Sequence, residues 1–294
     1  MNVRSSRLVL GRITIFLILS TISFGCIQRI AMNSLGGILD NGFAVINEES
    51  DLKIAESSIA SDLKLIESIL RSDPDNTHYL LLASRGYSSY ALGFVEDDSI
   101  PRARDLYVRG KEFGLRILRQ NTTFAAAESK PLSEFSASLS SFSNDDVPAV
   151  FWTAVGWGSQ IYTSLTDPSA VADLGKVESL MRFVAAHDSS YFYGGADFFL
   201  GTMYGSRAKM LGGDSALSRQ YFERCLAINH GKFLMTYIYY ARSYAVQTQD
   251  QHLFESLLTM IDTTSIDILP EARLSNAIAK RKAKLLRSKE NDLF

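Results

Sequence analysis

Leu52, Ala55, Ile59, Leu63, Ile66 and Leu70 recur at steps of three and four residues. Residues spaced in this way share one stripe of an α-helix, whereas a half-buried strand needs alternation with period two. Similar spacing returns along most of the chain, and no Asn-Gly or Asp-Gly turn lies between two alternating runs. The expectation is an all-α fold. The first helix should stop at Asp73-Pro74, because proline biases the residue before it away from helix. Asn76 or Thr77 can cap the next helix, which should run to Val95. Pro101 opens another, with Leu106, Phe113 and Ile117 on one face. Further helices are expected at 148–165, 168–186, 194–211, 215–228, 232–248, 250–260 and 270–288. Asp167-Pro168, Gly194-Gly195, Gly212-Gly213-Asp214, His230-Gly231 and Pro270 supply the breaks. The Ser-rich segment 129–144 is the best candidate for a loose connector, although Phe135, Leu139 and Phe142 would allow a short helix there.

Three helix ends superpose without gaps: Ile66 to Pro74, Leu180 to Asp188 and Phe222 to His230. In each, an apolar residue is followed at +3 and +4 by two more and at +7 or +8 by a polar break. This is how the second helix of a tetratricopeptide (TPR) unit closes, and Pro74 stands where that repeat has its terminal proline. First helices supply the other half, an aromatic followed by a Leu-Gly-like pair and a further aromatic. Trp152, Val155-Gly156 and Ser159 fit in part; Leu200-Gly201 with Tyr204 fits well; Tyr237, Tyr240-Ala241 and Tyr244 fit with Ala for Gly; Gly86 is a weaker candidate. The small residue would let a partner helix approach and the aromatic would fill the gap beside it. Spacings of 45 residues from Trp152 to Asp197 and 40 from Asp197 to Tyr237 exceed the strict repeat of about 34. The expected fold is therefore an irregular TPR-like α-solenoid of antiparallel helix pairs.

The N-terminal 26 residues have a different character. Arg4, Arg7 and Arg12 form a positive region without acids, and Ile13 to Phe24 is a short apolar run. It falls short of the about 20 residues that span a bilayer, so the layout is that of a secretory signal. Gly25-Cys26 resembles the lipobox of bacterial lipoproteins, in which the cysteine is acylated and becomes the mature N-terminus; Ser23 departs from the usual leucine. The alternative is an ordinary signal peptide that contains a cysteine. The expected organisation is a lipoprotein signal peptide over 1–25, a tether and first helix over 26–50, and a helical domain over 51–294. Loss of residues 1–25 removes three arginines and no acid, which takes the formal charge from −2 to −5. An acidic chain lacks the basic field that nucleic acid requires. A 46% hydrophobic share and only six prolines argue against disorder. With Cys26 acylated, Cys225 stands alone as a small core residue.

The sequence has no P-loop, Rossmann fingerprint, HExxH or CxxC motif. Gly156-Trp157-Gly158-Ser159 is no nucleophile elbow, the four histidines lack ligand spacing, and the carboxylates suggest no catalytic pair. No enzyme, cofactor or metal is expected. The basic run Lys280 to Lys284 is expected to be the solvated face of a terminal capping helix. Aromatics are abundant, with 17 Phe, 13 Tyr and 2 Trp. Most belong to a core, but tyrosines occupy more than one face of helix 232–248. Trp152, Trp157, Tyr204, Tyr240 and Tyr244 are the candidates for lining a groove or channel for an apolar ligand or a partner segment.

From Leu211-Gly-Gly-Asp214 to the C-terminus the sequence becomes more specific. Ala216 to Leu226 is followed by Gly231-Lys-Phe-Leu234, Tyr240-Ala241, Tyr244-Ala245, Gln249-Asp250, Leu253-Phe254 and Leu257-Leu258, then by Leu274, Asn276 and Ile278-Ala279-Lys280. Val147-Pro148, Phe151-Trp152, Gly156-Trp157-Gly158, the block Lys64 to Glu67 and the block Asp73 to Asn76 belong to the same pattern, as does the terminal Asn-Asp-Leu-Phe294. In order and spacing the chain resembles the T-component (TatT) family of TRAP transporter-associated lipoproteins. The resemblance implies a periplasmic, all-helical, non-enzymatic protein tethered to a membrane by its lipid. It also implies association with the substrate-binding (P) component of a tripartite ATP-independent periplasmic transporter, and with small organic-acid or hydrophobic ligands. Ile27, in place of Asp after Cys26, points by family analogy to the inner leaflet of the outer membrane. The open faces of a solenoid allow a homo-oligomer, with a trimer as the working guess. A general TPR scaffold for cell-envelope assembly is the alternative. Cells grown with radiolabelled palmitate should label this protein, and Cys26→Ala should abolish the label; label that survives the substitution would remove the lipobox reading.

Overall fold

A computed structural model describes residues 36–164 and 167–294, the side chain of Pro168 excepted. The signal segment and Cys26 lie outside the described residues. The chain divides into two compact units, Met1–Val45 and Ile46–Phe294. Residues 36–47 form helix α1, which ends just inside the second unit.

Among the described residues of the second unit the elements are helices, with no strand. Asp51 opens α2 (Leu52–Ser72) by accepting the backbone N–H groups of Lys53 and Ile54 at 2.8 and 3.2 Å. Such a cap satisfies donors that a helix start leaves orphaned. The stripe expected from the sequence is buried, and the helix ends at Asp73. Asn76 caps α3 (Thr77–Tyr90) in the same way, and the backbone continues as a π-helical segment, Ala91–Val95. Next come α4 (Ile100–Leu118), α5 (Thr122–Ala127), α6 (Leu132–Ser138), α7 (Val147–Tyr162), α8 (Pro168–Ala172) and α9 (Leu174–His187). They are followed by α10 (Tyr191–Gly205), α11 (Ser215–Ile228) and α12 (Met235–Tyr239). The latter continues through a second π segment, Tyr240–Ala245, into α13 (Val246–Thr248). The chain closes with α14 (Gln251–Thr263), α15 (Arg273–Arg287) and α16 (Glu290–Leu293).

Three expectations need correction. The segment 129–144 is no loose connector: α6 and two 3-10 turns bury Phe135, Leu139 and Phe142, with Phe135 against Phe124 and Trp157. Helix 168–186 is broken at Asp173. Helix 194–211 ends at Gly205, because the chain turns back at Gly212 (φ +80°) and at Gly213, where a Cβ would lie 1.8 Å from the Arg207 carbonyl oxygen. On α4, Leu106, Phe113 and Ile117 share one half-buried face that packs on the cores, while Ala103, Tyr107, Gly110 and Gly114 form a deeper stripe. Small residues admit neighbouring backbones more closely than leucines do.

The close approaches explain much of the packing. Helix α4 packs extensively on α3 and on α7. A Cβ at Gly156 would lie 2.7 Å from the Lys111 amide nitrogen, and one at Gly114 would lie 2.9 Å from the Thr153 Cα. Helix α10 meets α11 through Gly201, whose absent Cβ would touch the Phe222 ring at 3.1 Å. There Ser218 Oγ donates to the Gly201 carbonyl at 2.7 Å, which satisfies a buried polar group at the contact.

Two hydrophobic cores result. One joins Leu115 and Leu118 to Phe124, Trp152, Trp157, Leu180, Leu200 and Met203. The other joins the inner faces of α2, α3 and α4 to Phe222, Leu234, Ile238, Phe254, Leu258 and Ile278. The last helices therefore pack against α2, α3 and α4. At the end of the chain, Phe294 sets its ring edge-on to Phe254 at 5.1 Å. We expect Gly156→Ala to destabilise the protein by about 1–3 kcal/mol, because a rigid backbone clash outweighs the about 1 kcal/mol of helix propensity gained; the urea midpoint should fall accordingly.

Candidate functional site

The two π segments border one charged cluster. A π turn admits an extra residue and widens the helix, and such bulges occur frequently at functional sites. After Val95 the chain delivers Glu96 and Asp97; the second π segment carries Arg242. Lys282 Nζ donates to both carboxylate oxygens of Asp97, at 2.8 and 2.9 Å. Arg281 adds a bond to Asp97 at 3.3 Å and another to the Gly93 carbonyl. Glu96 accepts from Arg242 at 3.0 Å and from the Tyr107 hydroxyl at 2.6 Å. The Lys282 side chain is 3% exposed. Burial holds its ammonium below the usual lysine range, against the opposing pull of Glu96 and Asp97. The basic run of α15 is thus not wholly a solvated face, because two of its cations turn inward to these acids.

A second feature lies along the same three N-terminal helices. Between α2 and α4, with α3 as the floor, is a cavity of about 340 Å³. Tyr87 and Tyr90 come from α3 and are buried; Leu63 and Lys64 come from α2; Arg102, Leu106 and Arg109 come from α4. Lys64 is bound to Glu67 at 2.7 Å and to the Tyr87 hydroxyl at 3.1 Å, and that hydroxyl donates to Glu67. Burial opposes ionisation of Glu67, but the bonds from Lys64 and Tyr87 outweigh it and hold its carboxyl below the usual range. Arg109 lies 5.7 Å from the centre of the Tyr87 ring and Arg102 lies 6.0 Å from that of Tyr90.

The five aromatics singled out from the sequence fall into two groups. Trp152 is buried beside Phe151 and Phe192, with the Arg85 guanidinium 5.8 Å from its ring. Trp157 is buried edge-on to Phe135, with Lys111 and Lys176 over its ring. Tyr204 is half-buried, stacks on Tyr221, donates to Glu178 at 2.6 Å and accepts from Arg182 at 3.0 Å. Tyr240 stacks on Phe222 at 4.7 Å and tilts against half-buried Tyr244. Burial pushes the Tyr240 hydroxyl up to about 12. The first three belong to one core and the last two to the other.

Between the cores lies a turn in which Phe192, Tyr193 and Gly194 all have positive φ (49°, 62° and 81°). Left-handed backbone costs a non-glycine residue about 1–2 kcal/mol, so the surroundings must hold it. Phe192 packs on Trp152 at 4.8 Å and Tyr193 stacks on Phe233 at 4.7 Å. The Tyr193 carbonyl accepts from Asn229 Nδ2 at 3.2 Å.

Burial pushes the Cys225 thiol up to about 12, which leaves it protonated and unreactive. Among the described residues no three His, Cys, Asp or Glu side chains are grouped to hold a metal ion, and no helix is long and apolar enough to cross a membrane. The α2–α3–α4 cavity has Lys64, Arg102 and Arg109 and one acid, Asp105, among its lining residues.

A family model described as TRAP transporter T-component matches residues 48–294. The chain belongs to that family. This T-component is accordingly an accessory of a TRAP transport system. No curated protein matches the chain. Reading the sequence missed Glu96, Asp97, Arg102 and Arg109 in this T-component. The seven-residue step from Arg102 to Arg109, with Leu106 between them, marks one face of a helix. The acids gave no signal, because their cationic partners lie more than 140 residues away. Asp97→Asn should cost about 3 kcal/mol by removing the carboxylate bound to buried Lys282 and leaving Glu96 as its nearest counter-charge, whereas Asp97→Leu combined with Lys282→Met should recover most of the loss. Urea unfolding of the three proteins measures this.

Proposed function

We propose that this T-component is a non-enzymatic periplasmic lipoprotein, anchored through Cys26, that docks the substrate-binding P component of its transporter and hands small organic or hydrophobic ligands to or from it. Membership of the T-component family carries the reading. The helical frame supports it, since adjacent helices packed in pairs, as in a TPR-like array, present side chains from several helices to one partner. The cavity between α2, α3 and α4 gives the ligand part a physical basis. Solvent-facing surface on Tyr204 and Tyr244 suits a passing apolar ligand, with Trp152, Trp157 and Tyr240 behind them in the cores. Acylation would place the domain at a membrane surface, the inner leaflet of the outer membrane by the residue after Cys26. A homotrimer fits the same reading.

Capture of the tagged protein from envelope extracts, after mild cross-linking, should recover a TRAP substrate-binding protein, most directly one encoded beside it. Recovery of outer-membrane assembly machinery in its place would favour the general scaffold and remove the docking reading.

A further inference from the structure

Met210 and Leu211 are 89% and 68% exposed, and among the described residues no other two neighbours in sequence are both large, apolar and exposed. They belong to a 3-10 turn, Lys209–Leu211, between α10 and α11. Hydrogen bonds close this turn. The amide N–H groups of Leu211 and Gly213 donate to the Ala208 carbonyl at 2.8 and 3.1 Å, and that of Gly212 donates to the Lys209 carbonyl at 3.1 Å. The Arg207 guanidinium binds the Met203 and Leu211 carbonyls at 2.9 and 3.4 Å. A backbone fixed in this way presents to water two side chains that gain nothing from water. Charge also sets the tip apart. No acid lies between Asp197 and Asp214, a stretch that carries Arg207 and exposed Lys209, in a chain of net charge −2. Asp214 spends its carboxylate on the Leu217 amide at 3.0 Å.

Two protruding side chains cover only a fraction of the about 800 Å² per partner that a stable protein interface buries. The headgroup region of a bilayer closes round a projection of any shape, and where its lipids are anionic it attracts the cations beside that projection. An acylated Cys26 would bring the domain to such a surface. The stretch from Cys26 to residue 36, where α1 begins, spans at most about 35 Å. A tether of that reach leaves open which face turns to the membrane. We propose that the 209–211 tip is a second membrane contact, with Met210 and Leu211 set at the boundary between headgroups and acyl chains of an anionic bilayer and Lys209 at the lipid phosphates. The assignment rests on the reading of this chain as membrane-anchored, and it adds the face that meets the membrane.

Quenching of a tryptophan at position 210 by brominated lipid tests it. Trp152 and Trp157 are buried and give a constant background. The full chain is held through Cys26 on vesicles of phosphatidylethanolamine and phosphatidylglycerol, by its own acyl groups or, where it lacks them, by a maleimide lipid coupled to that thiol. Cys225 is buried and protonated and does not compete for the coupling. Met210→Trp should lose emission on vesicles with brominated acyl chains relative to unbrominated ones, whereas Met260→Trp, at an exposed site on α14, should not. Adding Leu211→Asp or Lys209→Glu to Met210→Trp should remove most of that loss with an unchanged melting temperature, since both residues are exposed. Phosphatidylcholine in place of phosphatidylglycerol should weaken the quenching. Equal emission on the two kinds of vesicle, equal quenching at position 260, or quenching indifferent to Leu211→Asp would overturn the assignment. A blue shift of the position-210 emission that needs no lipid and grows with protein concentration would overturn it too, in favour of a second copy of this chain. Quenching in a chain that carries no acyl groups of its own sinks the lipoprotein reading alone, and natural acylation without quenching sinks the tip assignment alone.

Discussion

Lys282 is the residue around which the fold must be arranged. Taking an ammonium out of water costs several kcal/mol, and only a well-placed carboxylate with satisfied lone pairs offsets that cost. Asp97 meets the requirement with two bonds, at 2.8 and 2.9 Å, and Glu96 shares the same neighbourhood through Arg242 and Tyr107. Helices α3, α4, α15 and the π segment after α12 must all be in register before the charges balance. Apolar burial alone would allow small slips between such helices, but an ion pair with both partners largely buried does not. The π segments fit this demand. Each shifts the phase of its helix by about one residue just where a charged side chain has to be aimed.

The remaining frame depends on glycine and serine more than on large side chains. Gly110, Gly114 and Gly156 bring α3, α4 and α7 within backbone contact, and Ser84 and Ser218 donate buried hydrogen bonds to the carbonyls of Gly110 and Gly201. Close approach of α4 to α3 also seats the α4 arginines over the α3 tyrosines. The chemistry of the cavity therefore follows from the same packing that stabilises the bundle.

Much of this was legible in the sequence, for a local reason. The α2 stripe, its stop at Pro74 and the role of Gly156 and Gly201 as approach points follow from spacing within one or two turns. The error on α4 has a physical origin, since hydropathy ranks Leu106 and Phe113 above Gly110 and Gly114 although the glycines permit the deeper contact. The Ser-rich stretch misled similarly: its serines bond to carbonyls three residues back, as Ser138 does to Phe135, and so allow a helix turn while three apolar residues bury. The inward turn of Arg281 and Lys282 could not be seen, because α15 has a sound amphipathic pattern without it and the matching acids lie near the other end of the domain. The left-handed turn at 192–194 was visible only as a glycine pair; that Phe192 and Tyr193 would also adopt positive φ depends on aromatic neighbours from α7 and from the segment before α12.

The bond between residues 97 and 282 also sets the order in which the domain can be completed. A chain delivered from its N-terminus, whether by a ribosome or through a translocation channel, presents α3 and α4 long before α15 emerges. Until then Asp97 has water in place of Lys282 and Arg281, and the core over α2, α3 and α4 lacks Leu274, Ile278 and Ala279. The charge cluster is completed only when nearly the whole polypeptide is present. A helical array of this size is commonly pictured as growing one unit at a time; this one fastens at the end.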